Sequence, residues 1–390
     1  MTEPARYAVA ADHLFDGTAL HDDGAVLIDR SEIAQLVRRD DIPRGVPVHE
    51  LPAGAWLAPG FIDVQVNGGG DVLFNDEPTP AGIAAIAAAH RRFGTTGLLP
   101  TLISDTAEKM RAAGDAVSEA MRSNPSVLGI HFEGPFLSPD RPGVHDPRML
   151  RRPEARDLAL LTGSRDGVVL VTLAPEVVPE GFIAALAQAG VKVSLGHAMA
   201  TYGQTRAALA EGLTGFTHLF NAMRPLASRE PGPIAAALET ENCWFGMIVD
   251  GVHVDPAMLR LALRGRAHPM LITDAMPPVG GRRETFMLGG RTITAGPNAC
   301  TRDDGTLAGT TLDMASAVRN AVKFLQMPLT DALRAAAAEP ARFLGLAHRL
   351  GHLAPGCRAD MVALDVNDIV VLETWVAGRT APITACTTRR

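Results

Sequence analysis

The sequence predicts a (β/α)8 barrel joined to a small β-sandwich built from both ends of the chain. Three observations carry this. Five apolar runs each end in a polar residue able to do chemistry: Val127–Gly134, Val193–His197, Gly215–His218, Phe245–His253 and Met270–Asp274. Short apolar runs bounded by Gly or Pro read as buried parallel strands. Between residues 59 and 345 such runs alternate with helical patterns, which predicts a parallel sheet. The stretches before and after have β character and are expected to pair with each other.

Residues 1–58 read as short strands, Ala8–Ala11, Gly24–Ile28 and Trp56–Leu57, separated by Asp, Gly and Pro. Phe61–Asn67 is the first barrel strand. A helix follows, with Thr79 as N-cap, Pro80 at its first position and Gly94 past its end. Thr95–Leu102 is the next strand and Asp105–Met121 the next helix. Further strands fall at 127–136, 168–175, 191–197, 215–221, 245–251 and 269–274, which makes eight. The span 59–345 suits a barrel of ~250 residues plus insertions. The stretch 277–311 breaks the alternation, and Leu288–Thr294 reads as part of a β-hairpin inserted after the eighth strand. Helical patterns resume at Met314–Leu325 and Thr330–Leu344. Gly351–Asp365, Val370–Leu372 and Thr374–Val376 return to β. The sandwich is thus expected from 1–58 with 346–390, and the barrel from 59–345.

The formal net charge of −7 argues against nucleic acid or an anionic membrane as partner. No apolar run approaches the ~18 residues of a membrane span. The first residues lack the basic and apolar blocks of a signal peptide. Cys243, Cys300, Cys357 and Cys386 show no C-x-x-C spacing. Disulfides and a zinc–thiolate site are therefore not expected, and a reducing cytoplasm is.

The active site of such a barrel sits at the carboxyl ends of its strands. Glu133, His197, His218, His253 and Asp274 are expected to converge there. A carboxylate at the end of a buried strand needs a partner. His131, two residues before Glu133, shares its strand face one layer deeper, and is expected to support the site from below. His197 and His218 end consecutive strands. With Glu133 they form a common ligand set for a catalytic divalent metal, leaving a position for water. A bound cation lowers the pKa of that water. Asp274 is the candidate base, kept ionised by a nearby cation.

The first strand carries Gln65-Val66-Asn67 where many barrel hydrolases place H-x-H for a second ion. Amides are poorer ligands than imidazoles. The fourth strand, Val168–Pro175, has no Lys or His to bridge two metals. One divalent ion per subunit is expected, Zn, Fe, Co or Mn. The loop after His218 brings Asn221, Arg224 and Arg229, which with His253 and His145 could bind an anion such as phosphate.

Several ordered segments resemble the N-acetylglucosamine-6-phosphate deacetylase family of the amidohydrolase superfamily. They are Pro59–Gly68, His131–Phe136, Gly196–Ala198, Thr217–Met223, Arg229–Gly232, Asp250–His253 and Thr273–Ala275. Glu339–Leu346 and Gly356–Val362 resemble the superfamily's closing helix and returning strand. The resemblance implies that Glu133, His197 and His218 hold the metal, that Asp274 is the acid/base and that His145 polarises the acetyl carbonyl. It implies that Asn221, the Ala222 backbone, Arg229 and His253 bind sugar and phosphate, with Gln65 as a further substrate contact. Gln65 and Asn67 resemble the one-metal type. The implied reaction is hydrolysis of the acetamide of N-acetyl-D-glucosamine 6-phosphate to glucosamine 6-phosphate and acetate. The implied assembly is a homodimer in which Arg229 reaches the neighbouring subunit's substrate. The alternatives are a deacetylase for the galactosamine epimer or another amidase of the superfamily. A non-catalytic scaffold would be expected to have lost ligands that this chain keeps.

Overall fold

The barrel strands follow the chain in order around the sheet: β1 (Phe61–Val66), β2 (Thr95–Ile103), β3 (Gly129–Glu133), β4 (Val168–Leu173), β5 (Lys192–Leu195), β6 (Gly215–Phe216), β7 (Trp244–Met247) and β8 (His268–Leu271). This structure, a computed structural model, describes residues 5–163 and 165–380. Cys386 and the last part of the 346–390 segment lie outside the described residues. Every residue of β1, β2 and β3 is buried, as expected of parallel strands covered on both faces. Just beyond β8 the sheet closes on β1, through Asp274 N–H to Gln65 O at 3.0 Å and Asn67 N–H to Ala275 O at 3.0 Å. The eight-strand barrel expected from the sequence is therefore present.

The first barrel helix starts at its expected cap, Thr79, and the second starts at Ala107, after Thr106, two residues later than expected. Thr79 accepts from Gly82 N–H at 3.1 Å ahead of helix Pro80–Arg91, and Thr106 from Lys109 N–H at 3.2 Å ahead of helix Ala107–Met121. The stretch 330–344 is split into Leu329–Ala336 and Ala338–Leu344, because Ala337 leaves helical geometry at φ −133°.

The two chain ends form one eight-stranded sheet with a core of its own, which includes Tyr7, Val26, Leu57, Met361 and Trp375. Strand Trp56–Pro59 pairs antiparallel with Met361–Asp365 and so knits the ends together. The sheet turns back on itself: Ile33 N–H donates to Cys357 O at 2.8 Å and Tyr7 Oη to Gly378 O at 2.7 Å. The sandwich is thus one continuous curled sheet.

The insertion is larger than the hairpin read from sequence. It is a four-stranded antiparallel meander, Thr285–Leu288, Arg291–Ala295, Ala299–Arg302 and Leu307–Thr310. The last two strands, ACTR and LAGT, are short and poor in β-branched and aromatic residues, so they carry little strand signal. The meander is anchored on the barrel mouth by Met276 N–H to Thr310 O and Thr310 N–H to Asp274 O, both 3.0 Å.

Candidate active site

Strands β5, β6 and β8 stop short, and the next few residues turn sharply inward. His197, His218 and Asp274 all have positive φ, at 48°, 33° and 51°, and Phe220 and Ala222 follow at 79° and 48°. Non-glycine residues in this region cost roughly 1–3 kcal/mol each and persist where surrounding structure imposes them, often at functional sites. Here the turn aims two imidazoles and a carboxylate over the barrel axis.

Glu133 Oε1 lies 3.2 Å from His197 Nε2 and 3.0 Å from His218 Nε2, and the two Nε2 atoms are 3.1 Å apart. These three residues form a buried group whose ligand atoms all lie within 4.8 Å of one another. Ligand atoms about 2.1 Å from a tetrahedral ion would stand roughly 3.4 Å from each other, close to this spacing. The hydrogen bonding agrees. His197 Nδ1 lies 2.9 Å from the Arg141 carbonyl, which can only accept, so Nδ1 carries the proton. Nε2 is then the nitrogen that faces the carboxylate oxygen and His218. Two imidazoles and a carboxylate so placed could hold a metal ion.

Burial alone would raise the Glu133 carboxyl, but hydrogen bonds to His197 and His218 outweigh it and hold it well below the usual carboxylate range. His131 stays beneath the cluster, with Nε2 2.7 Å from Thr172 Oγ1 and Nδ1 3.2 Å from Thr101 Oγ1, and burial pushes its pKa down to about 4.

Asp274 is held by amides. Its Oδ1 accepts from Asn67 Nδ2 at 2.7 Å and Gln65 Nε2 at 3.1 Å, and Gln65 Nε2 also lies 3.3 Å from Glu133 Oε1. Among the described residues its Oδ2 has no side-chain partner. Burial, then the Glu133 charge, push the Asp274 carboxyl up to about 6. Gln65, read from sequence as a substrate contact, does not line the cavity. It sits under the two carboxylates and spaces them, because a side chain on the closing strand points into the barrel.

His145 is also a wall of the site. Ser104 N–H donates to its Nδ1 at 3.3 Å, with Ser104 Oγ at 2.8 Å. Burial, then the neighbouring His197, press its pKa down to about 3, so the ring is neutral. With Nδ1 accepting, the single proton belongs on Nε2. His253 Nδ1 is 2.6 Å from Asp250 Oδ2, and Asp250 also accepts the His253 and Val252 amides. The Asp-x-x-His spacing was the signal for this supporting residue.

These groups surround a cavity of about 350 Å³, within the usual range for a small-molecule site. Glu133, His145, His197, His218, Asn221, Ala222, His253 and Asp274 all line it. The two arginines of the loop after β6 lie apart from the cavity of their own subunit. Arg224 donates to the Met199 and Ala200 carbonyls at 2.9 and 3.2 Å and is absent from the wall. Arg229 is exposed on its loop and does not line the cavity of its own subunit. Among the described residues the only Lys or Arg that does so is Arg141, which sequence reasoning missed. Its single signal is its place four residues before His145. The insertion also contributes wall residues, Thr306, Leu307 and Gly309.

The family pattern of the amidohydrolases matches residues 56–383. The chain is 44% identical over 337 residues to an N-acetylgalactosamine-6-phosphate deacetylase of Shewanella sp. (strain ANA-3), covering 85% of this chain and 84% of that one. It is 33% identical over 364 residues to an N-acetylglucosamine-6-phosphate deacetylase of Haemophilus influenzae, covering 92% and 94%. Among solved structures, the Pasteurella multocida N-acetylglucosamine-6-phosphate deacetylase superposes with a TM-score of 0.93 at 32% identity, covering 96% and 99%. An Asp→Ala variant of the Mycobacterium smegmatis enzyme in complex with N-acetyl-D-glucosamine 6-phosphate superposes with a TM-score of 0.87 at 36% identity, covering 97% and 99%.

Proposed function

This chain belongs to the amidohydrolase family, and from that premise we propose that it removes the acetyl group from N-acetyl-D-glucosamine 6-phosphate, releasing acetate and glucosamine 6-phosphate. The observation that carries this is the convergence of the Glu133–His197–His218 cluster, Asp274 and His145 on one cavity.

Glu133, His197 and His218 would hold one divalent ion per subunit. When bound, that ion polarises the acetyl carbonyl and makes a water molecule easier to deprotonate. His145, neutral with its proton on Nε2, donates to the carbonyl oxygen as charge builds there. Asp274 takes a proton from the attacking water through Oδ2, while Gln65 and Asn67 fix its other oxygen. The water oxygen bonds to the carbonyl carbon, the C–N bond breaks, and Asp274 returns the proton to the leaving nitrogen. Asn221, the Ala222 backbone and His253 bind the sugar phosphate. Arg141 supplies a permanent cation from the same subunit. Arg229 reaches the neighbouring subunit's substrate in a homodimer.

The galactosamine epimer is a second reading, favoured by the 44% identity to the Shewanella relative. Two observations bear on location. No helix among the described residues is long and apolar enough to cross a membrane, and Cys243, Cys300 and Cys357 are free thiols, in keeping with a reducing cytoplasm. The test is acetate release from N-acetylglucosamine and N-acetylgalactosamine, each with and without a 6-phosphate. Turnover of neither phosphorylated sugar refutes the proposal, and the ratio of kcat/KM between the two decides the epimer.

A further inference from the structure

The cavity has an apolar side to which the reaction above gives no role. Ile103, Val144 and Met276 line it. Each adjoins a residue of the reacting centre. Ile103 is paired in register with Glu133 across β2 and β3. Val144 precedes His145, and Met276 lies two residues past Asp274. Ile103 and Met276 belong to one buried cluster with Phe286, Ile293 and Ala308 of the insertion, and Val144 packs against it. Of the polar lining, Asn221 and His253 come from the loops after β6 and β7, while Arg141 shares the loop after β3 with Val144.

A substrate amide has two arms. One is the sugar, with hydroxyls and a phosphate. The other is the acyl chain, which in an acetamide is a methyl group. With the carbonyl between the metal cluster, Asp274 and His145, the sugar arm matches the polar wall and the methyl matches the apolar one. We propose that Ile103, Val144 and Met276 form an acyl subsite that selects for acetyl over longer acyl groups. The proposal rests on the deacetylase reading given above.

The wall is built so that it does not recede. Met276 is 1% exposed, with the insertion directly behind it. A Cβ on Gly309, which has φ +70°, would come within 2.8 Å of Met276 Cγ and 2.9 Å of its Cε, so the absence of a side chain there makes room for the thioether. Interiors at native packing density resist added volume. One additional methylene in an apolar pocket typically changes discrimination by roughly 10- to 200-fold.

The experiment measures kcat/KM for the N-acetyl, N-propionyl and N-butyryl amino sugar 6-phosphates, followed by release of the free amine. Metal-replete wild type, Met276→Ala and Val144→Ala are compared. Wild type is expected to favour acetyl over propionyl by about 10-fold or more. Met276→Ala should shift that ratio toward the longer chains by about 10-fold or more, and Val144→Ala in the same direction by less. Val144 lies on a half-buried loop, so its variant decides the matter if Met276→Ala does not fold. A wild type that cleaves all three alike overturns the proposal, as does an acyl ratio unchanged in the folded variants. A wild type that releases no amine from any of them overturns the deacetylase reading itself, which is a separate outcome.

Discussion

Replacing Arg141 by Met separates two jobs that one residue performs. Its carbonyl accepts the His197 Nδ1 proton, a backbone contact that any residue at this position retains. Among the described residues its side chain is the cavity's only Lys or Arg, half-buried, with Nε 3.1 Å from the Met199 sulfur and no ion pair. A thioether is a weak acceptor, so little competes with a phosphate for the guanidinium. A charge-assisted hydrogen bond of this kind contributes about 1.5–3 kcal/mol. Its loss should lower kcat/KM for the phosphorylated sugar by roughly 10- to 150-fold. The unphosphorylated sugar should be cleaved at nearly its original low rate, with metal content unchanged. Arg141→Lys should recover part of the loss, since it restores a point charge without the planar fork. The assay is steady-state turnover of both sugars at fixed ionic strength, with metal analysis of each variant. An equal loss on both sugars, or no loss on the phosphorylated one, refutes the assignment.

Asp274→Asn should keep the metal and the substrate affinity while kcat falls by about 100-fold or more, and a variant retaining over a tenth of the rate would make Asp274 structural. The purified protein should carry close to one divalent ion per chain, lost on chelation together with activity and absent from His197→Ala; two tightly held ions would contradict the reading of Gln65 and Asn67. Arg229→Ala should depress turnover of the phosphorylated sugar by roughly 10- to 150-fold. Mixing it with His197→Ala subunits should restore activity, because one site in the mixed dimer has both metal and the partner's arginine, and verified heterodimers that stay inactive would place Arg229 outside the neighbouring site.

The groups at the ends of the strands were legible because of a geometric rule. Parallel strands in a barrel all point their carboxyl ends the same way, so Glu133, His197, His218, His253 and Asp274 had to share one face. The amides at Gln65 and Asn67 were legible as departures from a two-metal pattern, but their task was not. Hydrogen bonding to Asp274, more than 200 positions away in sequence, exists only once β1 and β8 close the barrel. The insertion was underestimated because ACTR and LAGT carry little local strand signal, and they become strands by pairing with their neighbours.

By itself the sequence determined the barrel, the pairing of the two chain ends and the residue types that can bind a metal and move a proton, since apolar periodicity and chain order suffice for these. Only the tertiary structure decided which nitrogen of His197 and of His145 carries the proton, which arginine faces the cavity, and that an apolar wall stands beside Asp274. Each of these depends on contacts between segments far apart in the chain, where the donor, the acceptor and the packing partner lie on different loops and meet only after the strands have closed.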